Sequence, residues 1–139
     1  MLIKPAGSIM TGYGDLVPHG RHIFIDFVGY VSPTENDGKL ILALMRECIR
    51  NSTATEVHSH VTQFDGNSSP LGFAAIVVLD ESHFSAHCYS ELGWLAIDCF
   101  TCGSANTEAI VSSFTSKLED LIPTLEVTQR KNVDRFLHR

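Results

Sequence analysis

The stretch from Gly72 to Thr101, GFAAIVVLDESHFSAHCYSELGWLAIDCFT, decides the fold of this chain. Gly72 to Leu79 is an apolar run suited to a buried strand. Phe84 to Tyr89 and Trp94 to Thr101 predict two further strands, joined by a turn near Ser90 to Gly93. Because such short turns connect consecutive strands, the pattern predicts an antiparallel sheet.

The segments on either side add more strands and two helices. The strands are predicted over His22 to Tyr30, Thr55 to Phe64 and, shorter, Thr124 to Val127. One amphipathic helix separates the first two strands, and a second, capped by Asn106 or Thr107, follows the quoted stretch. The apolar positions of the helices are Leu40, Ile41, Leu44, Met45 and Cys48, and then Ile110, Phe114, Leu118 and Leu121.

These elements predict an α+β fold, a two-layer α/β sandwich with a mainly antiparallel sheet and both helices on one face. The other face of the sheet would be solvated or packed against a second copy. We expect Cys48, Cys88, Cys99 and the Trp94 ring to pack in the core. Residues 1–19 contain glycines and a proline and predict an irregular N-terminal arm, and residues 129–139 predict a polar C-terminal tail.

The composition is that of an ordinary globular chain. The 139 residues are 44% hydrophobic and 19% charged, enough to bury a core without disulfides or metals. The net charge of −6 argues against a nucleic-acid partner, because phosphate binding depends on Lys and Arg. No apolar run approaches the roughly 20 residues of a membrane span. The four unevenly spaced cysteines fit reduced thiols, so we expect a cytoplasmic protein without a signal peptide.

Two clusters of reactive side chains, ESHFSAHC over residues 81–88 and CFTCG over residues 99–103, allow three kinds of chemistry. A metal site is the first, with Cys99 and Cys102 as ligands and His58 and His60 as further candidates. An offset of three on a regular strand, however, puts two side chains on opposite faces. A single C-x-x-C pair is also a weak signal, so we expect no metal.

A hydrolase is the second possibility, with Ser82 or Cys102 as nucleophile and His87 as base. The sequence lacks the G-x-S-x-G elbow that presents a serine nucleophile in α/β-hydrolases. A nucleophile and a base five residues apart across a hairpin are a generic arrangement.

Self-processing is the third possibility. The Ser82 hydroxyl can attack the carbonyl of Glu81, and elimination from the resulting ester leaves a chain that begins with a pyruvoyl group. Such a ketone forms a Schiff base with a substrate amine and stabilises the carbanion left when CO₂ departs. His87 can move the proton during cleavage, and the Cys102 thiol can return a proton to the substrate. Composition and spacing alone do not select among the three possibilities.

The order of these residues resembles one family. The sequence ESHFSAHCYSELGWLAIDCFTCG over residues 81–103 resembles the pattern ESHxSxH…PEYGYAAxDxFTCG of the prokaryotic-type S-adenosylmethionine decarboxylases. Residue types and both intervals, Ser82 to His87 and Ser82 to Cys102, match together. GRH at residues 20–22 is also similar to the family's sequence. The resemblance covers roughly residues 20–128, which it identifies as a pyruvoyl-dependent decarboxylase domain.

The resemblance implies a role for each matched residue. Ser82 is the pyruvoyl precursor, His87 the processing residue and Cys102 the proton donor, with cleavage between Glu81 and Ser82. Glu91 would hold the ribose hydroxyls of S-adenosylmethionine, and Phe64 and Tyr89 would stack on its adenine. The family implies a carboxy-lyase of spermidine biosynthesis that works as a homodimer of processed protomers with sites near the interface.

Departures from the family pattern affect the pocket more than the reaction. Tyr89 and Ser90 replace the family's Trp and Pro, and Ala74 replaces a Ser that assists processing. Asp80 stands where a small residue is common and could favour a substrate with an extra ammonium group. Two alternatives follow: a decarboxylase of ornithine or arginine, or an unprocessed paralogue that only binds or regulates a partner.

Overall fold

The computed structural model describes residues 2–3, 9–10 and 15–139 of the chain. It contains two helices and eight strands within those residues. In chain order these are β1 Leu2–Ile3, β2 Ile9–Met10, β3 Val17–Val28, α1 Asp37–Arg50, β4 Glu56–Phe64, β5 Gly72–Leu79, β6 Ser82–Tyr89, β7 Trp94–Cys102, α2 Thr107–Leu121 and β8 Glu126–His138.

Six of the strands form one antiparallel sheet in the order β4-β5-β6-β7-β3-β8, and β1 pairs with β2 separately. The quoted stretch supplies the three adjacent strands β5, β6 and β7, because each connection is too short for anything but a hairpin. Helix α1 packs on β4 and β5, and α2 packs on β3 and β7. The predicted α+β sandwich with both helices on one face is confirmed.

The core lies between this sheet face and the helices. Phe27, Phe73, Phe84 and Phe114 are fully buried there, and the rings of Phe84 and Phe114 meet edge-to-face with centroids 5.0 Å apart. Each such ring stabilises the fold by about 1.5–3 kcal/mol relative to an exposed position. Three of the four cysteines, Cys48, Cys88 and Cys99, pack in this core as predicted.

Two residues predicted in the core are exposed. The Trp94 side chain is 50% exposed, because alternation along β7 buries its neighbour Leu95 and turns position 94 to the open sheet face. Leu121 is 37% exposed, while Ile122, just after the helix, is 3% exposed. The helix ends at Leu121, and the chain leaves the helical conformation at Ile122, whose side chain is buried in its place.

The C-terminal strand is longer than predicted. Instead of ending at Val127, β8 continues to His138 and pairs along β3 from Val28 back to Val17. Almost all of its residues are exposed because it is an edge strand, so its sequence lacks the apolar alternation of a half-buried strand. The predicted polar tail 129–139 is thus mostly strand.

The predicted N-terminal arm, residues 1–19, is only partly described. Its last residues, from Val17, already belong to β3, and positions 1, 4–8 and 11–14 lie outside the described residues. The domain boundaries at 20 and 128 stay predictions. No helix in the described part of the chain is long and apolar enough to cross a membrane.

Candidate active site

The predicted cleavage position lies in the hairpin between β5 and β6. Leu79 pairs with Ser82, so Asp80 and Glu81 form a two-residue loop, and the Asp80 N–H is anchored to the Thr55 carbonyl at 2.9 Å. Glu81 has a φ of 60°, in the left-handed region that non-glycine residues seldom occupy. Such a conformation costs on the order of 1–3 kcal/mol. The bond between Glu81 and Ser82 is therefore held in a strained turn.

Cys102 lies directly beside Ser82, although the two are 20 residues apart in the sequence. The Cys102 backbone N–H donates a hydrogen bond of 3.0 Å to the Ser82 hydroxyl oxygen. Gly20 on β3 pairs with Cys102, and a Cβ there would lie 3.1 Å from the Cys102 sulfur. A glycine at this position thus leaves room for the Cys102 thiol.

The Cys102 thiol is kept in its protonated form. Burial and, secondly, the negative charge of Glu81 raise the pKa of this thiol above its ordinary value. A group that remains protonated at neutral pH can donate a proton. Cys99, which is fully buried in the core, lies on the opposite face of β7, so the two thiols cannot bind one metal together.

A second group of predicted site residues gathers toward the other end of β6. The His87 ring stacks on the Tyr89 ring with centroids 5.0 Å apart and lies 6.4 Å from the Phe64 ring. These three side chains, with Pro70, line a cavity of about 140 Å³. A larger cavity of about 370 Å³ continues along the open sheet face, where Trp94 joins His87 and Tyr89.

Glu91 lies in the β6–β7 turn at this same end and is exposed. The turn is closed by a 3.3 Å hydrogen bond from the Gly93 N–H to the Ser90 carbonyl. The Tyr30 N–H donates a 3.0 Å bond to the Gly93 carbonyl and ties the turn to the end of β3. A carboxylate is thus presented beside the aromatic group of Phe64, His87 and Tyr89.

The structure does not bring the two groups together within one chain. Ser82 and His87 are five residues apart on β6, which corresponds to roughly 16 Å along an extended strand. Their odd offset also turns the side chains to opposite faces. We call the loop residues 80–82 with Cys102 the cleavage end, and Phe64, His87, Tyr89 and Glu91 the aromatic end.

Comparison with known proteins identifies the family. The model of the S-adenosylmethionine decarboxylase family matches residues 21–131. The chain belongs to this family. The resemblance stated from the motifs, and the carboxy-lyase class that it implied, are thereby confirmed.

Individual family members cover most of the chain. It is 36% identical over 96 residues to an S-adenosylmethionine decarboxylase proenzyme of Symbiobacterium thermophilum, covering 69% of this chain and 70% of the relative. A proenzyme of the same name from Methanococcus maripaludis is 33% identical over 107 residues, covering 77% and 76%. The crystal structure of an adenosylmethionine decarboxylase from Aquifex aeolicus VF5 has the same fold, with a TM-score of 0.67 and 22% identity over 88% of this chain and 94% of that one.

One residue near the aromatic end was not expected from the family motifs. Asp37, the first residue of α1, is 2% exposed. Its carboxylate accepts five hydrogen bonds: from the hydroxyls of Tyr30, Ser32 and Ser90 at 2.9, 2.9 and 3.2 Å, and from the Gly38 N–H and Gln63 Nε2 at 3.0 and 2.9 Å. Acidic residues are common in the first turn of a helix. The sequence therefore gives no reason to single out Asp37 rather than its neighbour Glu35.

Groups next to Asp37 stay protonated. Burial, followed by the charges of Cys88 and Asp37, raises the pKa of the Tyr30 phenol. Burial also raises the pKa of the Cys88 thiol to about 12, with a further contribution from Asp37. The Tyr30 phenol therefore remains a donor to the carboxylate at any physiological pH.

Proposed function

We propose that this protein is a self-processing S-adenosylmethionine decarboxylase whose covalent pyruvoyl group is made from Ser82. The observation that carries the proposal is the hydrogen bond of 3.0 Å between Ser82 and Cys102, next to the strained Glu81. It joins the predicted precursor, proton donor and cleavage position in one place. Membership of a family whose relatives are named proenzymes supports the same chemistry.

Cleavage would begin at the strained loop. The Ser82 Oγ adds to the Glu81 carbonyl carbon and the Glu81–Ser82 C–N bond breaks, which leaves an ester and a free amine on residue 82. Loss of the Ser82 Cα proton then breaks the Cβ–O bond and releases Glu81 as a C-terminal carboxylate. Addition of water and loss of ammonia convert residue 82 to pyruvoyl, so one water is consumed and one ammonia is released.

The processed chain would then decarboxylate its substrate. The pyruvoyl group supplies an electron sink for the charge left when CO₂ departs. Cys102, whose backbone N–H is bonded to the Ser82 hydroxyl and whose thiol has a raised pKa, would return a proton to the substrate. Phe64 and Tyr89 offer ring faces to adenine, and Glu91 offers a carboxylate to the ribose hydroxyls.

The separation of the two ends supports a homodimer. Ser82 and Tyr89 lie seven residues apart on β6, roughly 23 Å, which a ribose and a short amino-acid chain cannot bridge. A two-fold copy packed on the open sheet face with its strands reversed would set its aromatic end near the Cys102 side chain, which lies on that face at the cleavage end of the first copy. The exposed Trp94 and Ile76 side chains on that face, 50% and 37% exposed, fit a buried interface.

A substrate assay distinguishes S-adenosylmethionine from the basic amino acids. Asp80 favours the second candidate, a decarboxylase of ornithine or arginine, because its exposed carboxylate stands in the cleavage loop and could bind an ammonium group. Release of CO₂ should be measured from all three compounds with the same processed preparation. We expect release from S-adenosylmethionine, as a step toward spermidine in the cytoplasm. Release from the amino acids alone would overturn the assignment.

Intact-mass measurement tests processing itself. The unprocessed paralogue is favoured by one observation: Ala74 lies directly opposite His87 and offers no hydroxyl there. We expect two chains, the second beginning at residue 82 and lighter than its sequence by one ammonia. A single uncut chain after long incubation would favour the non-catalytic alternative.

A further inference from the structure

Asp37 holds together three segments that carry the aromatic end. Gln63, next to Phe64 at the end of β4, donates to one carboxylate oxygen, and Ser90, between Tyr89 and Glu91, donates to the other. The remaining donors come from α1 itself and from the connection between β3 and α1. The buried carboxylate is therefore the common acceptor for the chain neighbours of Phe64, Tyr89 and Glu91.

The hydrogen bonds to Asp37 connect the start of α1 to other segments of the chain and do not only cap the helix. A first-turn acid normally satisfies helix N–H groups, yet four of the five donors here are side chains from outside α1: Tyr30, Ser32, Gln63 and Ser90. Gln63 also donates a 3.0 Å bond to the Gly72 carbonyl. Gln63 thereby fixes both the end of β4 and the start of β5.

We propose that Asp37 is a positioning residue for nucleoside binding, acting through Ser90 on the β6–β7 turn and through Gln63 on Phe64. The inference rests on the proposed function, because it assumes that Phe64, Tyr89 and Glu91 contact the nucleoside. Asp37 itself is too deeply buried to touch a substrate. Its contribution is to keep the aromatic rings and the Glu91 carboxylate in the relative positions that one ligand requires.

Ser90→Ala is the decisive variant because it removes one bond and leaves four donors on the carboxylate. The matched control is Ser113→Ala, because both hydroxyls are partly buried and each contacts a cysteine sulfur. The Ser90 oxygen lies 3.7 Å from the Cys88 sulfur, and the Ser113 oxygen lies 3.6 Å from the Cys48 sulfur. The probe is 5′-methylthioadenosine, which has the nucleoside but no carboxyl group. Its affinity should be measured by calorimetry on processed enzyme, beside the steady-state kinetics with S-adenosylmethionine.

We expect Ser90→Ala to weaken methylthioadenosine binding and to raise KM by about three- to tenfold, the effect of one lost hydrogen bond. The kcat and the extent of cleavage should stay at their wild-type values, as should every parameter of Ser113→Ala. Asp37→Asn should raise KM further, provided that its thermal melting shows a folded protein.

Two negative results have different meanings. If wild-type protein binds methylthioadenosine and decarboxylates S-adenosylmethionine, but Ser90→Ala matches it in affinity and KM, the positioning role is wrong. A fall in kcat or cleavage with unchanged affinity would equally contradict it. If the wild-type protein neither binds the probe nor acts on S-adenosylmethionine, the proposed function fails instead.

Discussion

The two ends of β6 differ in how their functional groups are held. At the cleavage end, Ser82 and Cys102 are placed by backbone: a two-residue loop, a strained Glu81 and a main-chain hydrogen bond. At the aromatic end, the rings of His87 and Tyr89 project onto the open sheet face, and buried side chains fix the turn beside them. The proposed bond-breaking residues thus lie in a hairpin held by main-chain contacts, whereas the proposed recognition residues are held by side chains that substitution can alter.

Removing the Ser82 hydroxyl should have the largest effect. We expect Ser82→Ala to abolish both cleavage and decarboxylation, because the proposed mechanism makes the pyruvoyl group from Ser82. Intact mass and CO₂ release measure the two losses. Ser85→Ala, three positions along the same strand, is the matched control and should still be cleaved. Cleavage in Ser82→Ala would place the reactive group elsewhere.

Mixing two inactive variants tests whether the ends meet across a dimer. His87→Ala should process poorly, and Ser82→Ala not at all. When the two are co-expressed, each mixed dimer contains one intact pair, and about a quarter of the wild-type sites should be restored. The intact mass of the chain that contains Ser82 measures how much cleavage the mixed dimers have recovered. Failure to recover any cleavage in verified mixed dimers would contradict a shared site.

The Cys102 thiol should affect turnover and not cleavage. Because the proposed mechanism uses this thiol as the proton donor, Cys102→Ala should lower kcat by about 10²–10⁴-fold while leaving most of the chain cut. Wrong protonation of the pyruvoyl group would appear as progressive inactivation of the enzyme and as a mass change in the chain that begins at residue 82. Replacing Cys48, a core thiol, with Ala should leave kcat per folded protein unchanged. Wild-type kinetics in Cys102→Ala would exclude the thiol from the mechanism.

The aromatic end should show a smaller effect, confined to binding. Tyr89→Ala removes one stacking face, so KM for S-adenosylmethionine should rise by about 5- to 100-fold, as one base–aromatic contact provides. Tyr89→Trp keeps the ring and should stay near wild type. Equal KM values for the wild-type, Tyr89→Trp and Tyr89→Ala proteins would show that the Tyr89 ring does not contribute to substrate binding.

The smallest expected effect is electrostatic. In the uncut Ser82→Ala protein, alkylation of Cys102 should accelerate only above the pH at which an ordinary thiol reacts, because its raised pKa leaves less thiolate. Adding Glu81→Gln removes a nearby negative charge, which lowers that pKa and should speed alkylation slightly at a fixed pH. Cys48, Cys88 and Cys99 are at most 2% exposed and should not react. An unchanged rate would show that Glu81 does not act on the thiol.

The sequence predicted strands and buried residues correctly where the local residue pattern matched burial in the core. The run from Gly72 to Leu79 and the short turns after it predicted adjacent strands correctly, since a hairpin needs only neighbouring residues. Trp94 was misplaced because a large apolar ring was assumed to be buried, although its position in the alternation faces outward. Strand β8 was predicted too short because an exposed edge strand has no apolar face for the pattern to reveal.

By itself, the sequence determined the sandwich and the family, because periodicity and motif spacing are local properties. Only the tertiary structure decided which residues meet. It placed Cys102 beside Ser82, kept His87 at the other end of the strand, and gathered three segments on Asp37. The physical reason is that strand pairing and helix docking join residues far apart in the chain, and no interval in the sequence records those contacts.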